Sequence, residues 1–122
     1  MGMNLKIKLY LEDEDGKFMG IGVLWLLQAL EKEESIRSAA ASIGISYSKA
    51  YSMIANLEKA TGHAMVDRRR GGHARNGAVL TPYAKDFIRL YDAFQANCKA
   101  LLEEPFEQFK IKLSNLEQDK TD

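Results

Sequence analysis

The sequence predicts a mainly helical fold with a small β hairpin, and three observations predict it. Two short helical patterns, at 35–43 and 46–60, each follow a serine and are separated by little more than Gly44-Ile45. A basic, glycine-containing stretch from Arg68 to Gly77 lies between two apolar pieces, Met65-Val66 and Ala78-Val79-Leu80. A longer helical pattern then opens at Thr81-Pro82 and fills most of the remaining chain.

In chain order, Leu5-Lys6-Ile7-Lys8-Leu9-Tyr10-Leu11 alternates apolar and polar residues, the period of a half-buried strand. The acidic run Glu12 to Asp15 with Gly16 reads as a turn, and Lys17-Phe18-Met19 as a short return strand. A first helix opens at Gly20-Ile21-Gly22. Val23, Leu24, Leu26, Leu27 and Leu30 give it a broad apolar face, with Trp25 expected in the core. Ser35 is a good N-cap for the second helix, in which Ile36, Ala39, Ala40 and Ile43 share one face. Ser46 caps the third, with Ala50, Ile54 and Leu57 as its inner stripe and Thr61-Gly62 as its stop. Thr81-Pro82 supplies a cap and a proline at the first helical position. The last helix is expected to run to about Glu104. Pro105 should interrupt it, leaving a short helix from Phe106 to Leu116 and a frayed tail beyond. Phe87, Tyr91, Phe94, Cys98 and Leu101 recur at spacings of four, three, four and three, a heptad-like seam that suits a dimer interface.

The order helix, glycine turn, helix, basic hairpin is that of a winged helix-turn-helix, mainly α with a small β wing. Here it carries an N-terminal strand or hairpin and a long C-terminal helix. In this arrangement the first helix of the pair braces the second, whose outer face enters the major groove. Small residues at Ala39, Ala40 and Gly44 let the two backbones approach. Tyr47, Ser48, Lys49, Tyr51 and Ser52 then form an exposed face that offers donors, acceptors, one cation and aromatic edges to bases and phosphates. No acidic residue occurs from Ile36 to Leu57, and carboxylates there would repel phosphate. Arg68, Arg69, Arg70 and Arg75 put cations on the wing, where they can follow a backbone or enter a minor groove.

The charge distribution agrees. Lys+Arg and Asp+Glu are equal at 17 each, yet residues 1–34 carry net −3, residues 35–89 net +6 and residues 90–122 net −3. A local basic patch is what phosphate binding needs, whatever the total. Other classes find little support. His63, Asp67 and His73 lack a recognisable metal-ligand spacing. No Ser/His/Asp set, phosphate-binding glycine loop or paired acid/base carboxylates stand out, so an enzyme is not expected. Cys98 is the single cysteine, and no apolar run is long enough to span a membrane. The polar N-terminus lacks a signal-peptide core, so a cytoplasmic location is expected.

The stretch SIRSAAASIGISYSKAY at 35–51 resembles the helix-turn-helix of ModE-type, molybdate-responsive regulators, and more distantly that of LysR-type regulators. The resemblance extends over about residues 5–95: Gly20-Ile21-Gly22 matches the family's lead-in to its first helix, and Gly71-Gly72 through Leu80-Thr81-Pro82 its wing and following helix start. It implies a winged-helix fold, a homodimer, and binding to partly palindromic double-stranded DNA. Carried over residue by residue, Ser46, Tyr47, Ser48, Lys49 and Ser52 face DNA. Tyr51 stands where the family often has tryptophan, which implies partial burial. The family's molybdate-binding region would follow the DNA-binding domain and is not expected in a chain ending at Asp122, so no cofactor is expected.

The expected division is a winged helix-turn-helix domain at 1–81, a helical dimerisation segment at 82–116 and a flexible tail at 117–122. The function expected is that of a homodimeric, sequence-specific DNA-binding transcriptional regulator. The acidic ends and zero net charge keep one rival in view, a winged-helix protein-interaction module; a third and weaker reading is a non-specific chromosome-binding protein.

Overall fold

The structure is a computed structural model that describes residues 2–68 and 77–121, with side chains as far as Gln118. Its elements run β1 (Leu11–Asp13), β2 (Gly16–Met19), α1 (Ile21–Glu33), α2 (Ile36–Ser42), α3 (Tyr47–Thr61), β3 (Val66–Asp67), β4 (Val79–Leu80) and α4 (Pro82–Thr121). The chain forms two compact units, one of Lys8–Tyr91 and one of Met1–Ile7 with Asp92–Asp122.

In the Lys8–Tyr91 unit, hydroxyl caps set the helix starts. Ser35 Oγ accepts the Ser38 N–H at 3.2 Å and Ser46 Oγ accepts the Lys49 N–H at 3.1 Å. Thr81 does more. Its Oγ1 accepts the Ala84 N–H at 3.1 Å and donates to the Ala64 carbonyl at 2.7 Å, while its N–H donates to the Met65 carbonyl at 3.0 Å. One threonine thus starts α4 and ties it to the segment leading into β3. Gly62 ends α3 at φ +74°, a left-handed conformation that costs glycine nothing. Replacing Ser35 with alanine leaves an N–H of α2 without its cap. The variant is expected to lose about 1 kcal/mol, seen as a lower urea midpoint at unchanged m-value.

Burial concentrates on one face of each helix. Leu24, Leu26, Leu27 and Leu30 of α1 pack with Ile36, Ala39 and Ala40 of α2 and Ala50, Ile54 and Leu57 of α3. Met65, Val66, Ala78 and Leu80 extend this core under the wing, and Ala84, Ile88 and Tyr91 of α4 close it. The unit therefore runs to Tyr91, because the first turns of α4 are part of the core. β3 and β4 pair antiparallel, Val66 opposite Leu80, and an isolated bridge joins Gly77 to Ser35. The Ala78 N–H donates to the Glu34 carbonyl at 2.8 Å, which anchors the wing base at the α1–α2 junction.

Three expectations change here. The strand expected over Leu5–Leu11 begins only at Leu11, where β1 pairs with β2 through an irregular register between Leu11 and Glu12. Leu9 is half-buried and Lys8 and Tyr10 exposed, so the alternation is real, but no neighbouring strand pairs with this segment among the described residues. The Leu9 carbonyl instead accepts the Tyr91 hydroxyl at 3.0 Å. Burial pushes the Tyr91 phenol above its ordinary pKa, and the nearby Tyr10 adds to the shift. Trp25 is not in the core: it is 54% exposed. At about 3.6 residues per turn it falls outside the arc held by Leu26, Leu27 and Leu30.

α4 also departs from expectation, since it is assigned as one helix through Pro105 to Thr121. Proline removes one intrahelical N–H and leaves the carbonyl four residues earlier, that of Leu101, without its usual donor. Leu101 and Pro105 are both exposed, so water can take that role. The stop expected at Glu104 is replaced by helix, which is continuous to Thr121. In the second unit, Lys110 Nζ pairs with Glu107 at 2.7 Å and lies 4.8 Å from the Phe106 ring centroid.

Candidate nucleic-acid interface

The site is built on the two faces of α3. Ala50, Ile54 and Leu57 anchor the inner face, and Tyr47, Ser48, Lys49, Tyr51 and Ser52 are exposed on the outer one. The turn before it is tight. Gly44 sits at φ +76°, and the Ile45 N–H reaches back to the Ala40 carbonyl at 3.0 Å. The left-handed turn at Gly44 lets α2 end and α3 start within four residues, so the buried Ala39 and Ala40 hold α3 with its first turn facing outward. Ser46 remains exposed. Its oxygen is committed to the cap, while its hydroxyl proton is available to donate.

The aromatic residues of this face do not stand alone. The Tyr47 and Tyr51 rings lie one helical turn apart, 6.2 Å between centroids and tilted by 41°. The Arg37 guanidinium lies 4.6 Å from the Tyr47 centroid and the Arg68 guanidinium 5.4 Å from the Tyr51 centroid. Both separations are in the cation–π range. A row Arg37–Tyr47–Tyr51–Arg68 therefore crosses from α2 over α3 to the wing base. Tyr51, for which the resemblance implied partial burial, is 48% exposed.

The structure brings Ser46, Tyr47, Ser48, Lys49, Tyr51, Ser52 and Arg68 to one region around α3. Arg69, Arg70, Arg75 and His73 lie outside the described residues. Sequence reasoning missed Arg37. The available signal was that Arg37 and Lys49 are the two charged residues in the carboxylate-free stretch. Its contact crosses a turn, so helical spacing does not reveal it. His63 is exposed and stacks on Tyr83 at 4.1 Å. No metal-binding cluster of three or more ligands occurs among the described residues.

The candidate dimer seam divides into two sets. Tyr91 is buried, with its hydroxyl bonded to Leu9, and Phe87 is half-buried against the same core. Tyr83, Phe87 and Tyr91 stack in succession at 6.5 and 6.4 Å. Tyr91 is thus engaged inside its own unit and offers no free surface to a partner. Phe94 and Leu101 are exposed and Cys98 is half-buried with a free thiol. Leu90, Leu102, Phe109, Ile111 and Leu116 of α4 are exposed as well, and the heptad reading did not include them.

The family model of bacterial regulatory helix-turn-helix proteins, lysR family, matches residues 22–85, which contain α1 through the start of α4. The DNA-binding transcriptional dual regulator ModE of Escherichia coli K12 is 34% identical over 90 residues, covering 74% of this chain and 34% of that protein. The molybdenum-pterin-binding protein MopB of Rhodobacter capsulatus is 33% identical over 90 residues, covering 74% and 33% respectively. The chain spans about a third of the length of these curated relatives. Among solved structures, the BenM DNA-binding domain in complex with catB site 1 DNA superposes with a TM-score of 0.52 at 23% identity, over 69% of this chain and 85% of that one. That likeness establishes the fold.

Proposed function

The chain belongs to the bacterial regulatory helix-turn-helix proteins of the lysR family, and from that premise we propose that it is a sequence-specific, DNA-binding transcriptional regulator acting as a homodimer. The observation that carries the proposal is the exposed outer face of α3, formed by Tyr47, Ser48, Lys49, Tyr51 and Ser52 in a stretch without a carboxylate. In this reading α3 lies in the major groove, and Ser46 and Lys49 hold phosphates or base edges near the helix start. The wing arginines Arg68, Arg69, Arg70 and Arg75 take the backbone or an adjacent minor groove. No helix among the described residues is long and apolar enough to cross a membrane. A regulator of this kind works on DNA in the cytoplasm.

The test is a gel-shift survey of genomic DNA fragments at physiological salt. Selective retention of a few fragments supports the proposal. Retention of none favours a protein-interaction module, and equal retention of all favours a non-specific chromosome-binding protein. Lys49→Ala is expected to weaken the retained complex roughly tenfold, the effect of about 1.4 kcal/mol and near the value of one charged hydrogen bond. Neutralising Arg68, Arg69 and Arg70 together is expected to weaken binding to all fragments and to flatten its salt dependence. An unchanged salt slope in that triple variant would remove the wing from the interface.

A further inference from the structure

Arg37 stands on α2, the bracing helix, away from the face usually credited with reading DNA. Its side chain nevertheless ends over the ring of Tyr47, the first residue of α3, at 4.6 Å. The ion pairs found among the described residues are Lys59–Asp15, Arg89–Asp86 and Lys110–Glu107, and Arg37 takes part in none of them. No carboxylate lies within the stretch from Ile36 to Leu57, which contains α2 and the outer face of α3. A guanidinium held near an aromatic ring by the cation–π attraction spends no N–H donor on it, so its N–H groups remain available. Those donors fit the oxygens of a phosphate. In helix-turn-helix docking the first helix of the pair crosses the DNA backbone.

We infer that Arg37 is a phosphate-binding residue of the interface, held in place by its cation–π contact with Tyr47. The inference rests on the DNA-binding reading above. Arg68, over Tyr51 at 5.4 Å, is its counterpart at the other end of the tyrosine pair. The two rings thus separate two guanidinium groups, one on the helix pair and one at the wing base. Tyr47 acts as a positioning residue for Arg37. It holds the guanidinium at the start of α3 before DNA arrives, so less side-chain freedom is lost on binding. A phosphate contact carries no base information, so Arg37 contributes affinity equally on all sequences.

The experiment measures the affinity of wild-type, Arg37→Ala, Arg37→Lys and Arg89→Ala proteins for a retained and a non-retained DNA fragment across a range of salt concentrations. Removing one phosphate contact from a duplex complex lowers the slope of log affinity against log salt by about 0.9, which is a loss of roughly fivefold at about 0.15 M salt. Arg37→Ala is expected to show that loss on both fragments. Arg37→Lys should restore the slope by keeping the charge. Arg89→Ala, which removes a cation already paired with Asp86 at 3.1 Å, should leave the slope at its wild-type value. Thermal unfolding of each variant reports whether Arg37 matters only to the fold; a lowered midpoint with an unchanged salt slope overturns the inference. So does a loss confined to the retained fragment, since that is the mark of base reading. If the wild-type protein binds neither fragment, the DNA-binding reading itself falls, an outcome separate from an Arg37→Ala protein that binds like wild type.

Discussion

Ile54→Ala is expected to lower the unfolding free energy by about 2–5 kcal/mol, the range for truncating a fully buried isoleucine or leucine. Ile54 is 0% exposed at the centre of the α3 inner stripe, between Ala50 and Leu57. Its side chain belongs to a core shared by α1, α2 and the wing strands, so truncation leaves a cavity where several elements meet. Folded domains are stable by only about 5–15 kcal/mol, and the variant would use much of that margin. DNA binding should fall with it, because the outer face of α3 has its geometry only while the inner face is docked. Ser52→Ala on the exposed face separates the two effects: its unfolding free energy should match wild type within about 0.5 kcal/mol. Chemical denaturation followed by circular dichroism measures both. A cost for Ile54→Ala below about 1 kcal/mol would mean that this site collapses around the cavity, contrary to the packing described.

The parts of the fold that were legible in the sequence are those with a local cause. Ser35, Ser46 and Thr81 announce helix starts because a cap hydroxyl bonds a backbone N–H within three residues, and all three do so. The Ala50, Ile54 and Leu57 stripe is legible because one helix face meets one core. What was misread depends on partners distant in sequence. Leu5 to Tyr10 alternate like a strand, yet a strand needs a neighbour to pair with, and the segment finds a tyrosine hydroxyl instead. Trp25 looks like core by residue type, but its place on the helix turns it outward. Pro105 does not end the helix, and the Leu101 carbonyl it leaves without a donor lies on an exposed part of α4. The seven-residue spacing from Phe87 to Leu101 is real, but it serves two purposes. Its first members complete the core and its later ones remain exposed. The candidate interface was legible as residue types on α3. The pairing of Arg37 with Tyr47 across the Gly44 turn was not, since no periodicity links those positions.

Phe94→Asp is expected to convert the proposed homodimer to monomers and to weaken binding to a two-half-site operator by about 10²–10⁴-fold. That is the advantage a linked second module confers through effective concentration. Phe94, Leu101, Leu102, Phe109 and Leu116 of α4 are all exposed, with Leu101 at 76%, and at about 3.6 residues per turn they share one side of the helix. Soluble monomers rarely leave a large contiguous apolar patch in water, and a second copy of the same helix is apolar at the same positions. An aspartate there would have to be buried without a partner or prevent association. Tyr91→Asp would be a poor test, because Tyr91 is buried and its loss would disturb the fold rather than an interface. Leu101→Asp is the suitable second variant, since its side chain is the most exposed of the set and the substitution leaves the Lys8–Tyr91 core untouched. Sedimentation or light scattering gives the oligomeric state, and binding to a single half-site provides the internal control. Unchanged half-site affinity with lost full-site affinity places the effect in the dimer. A dimer that survives both substitutions would move the proposed contact elsewhere on the molecule.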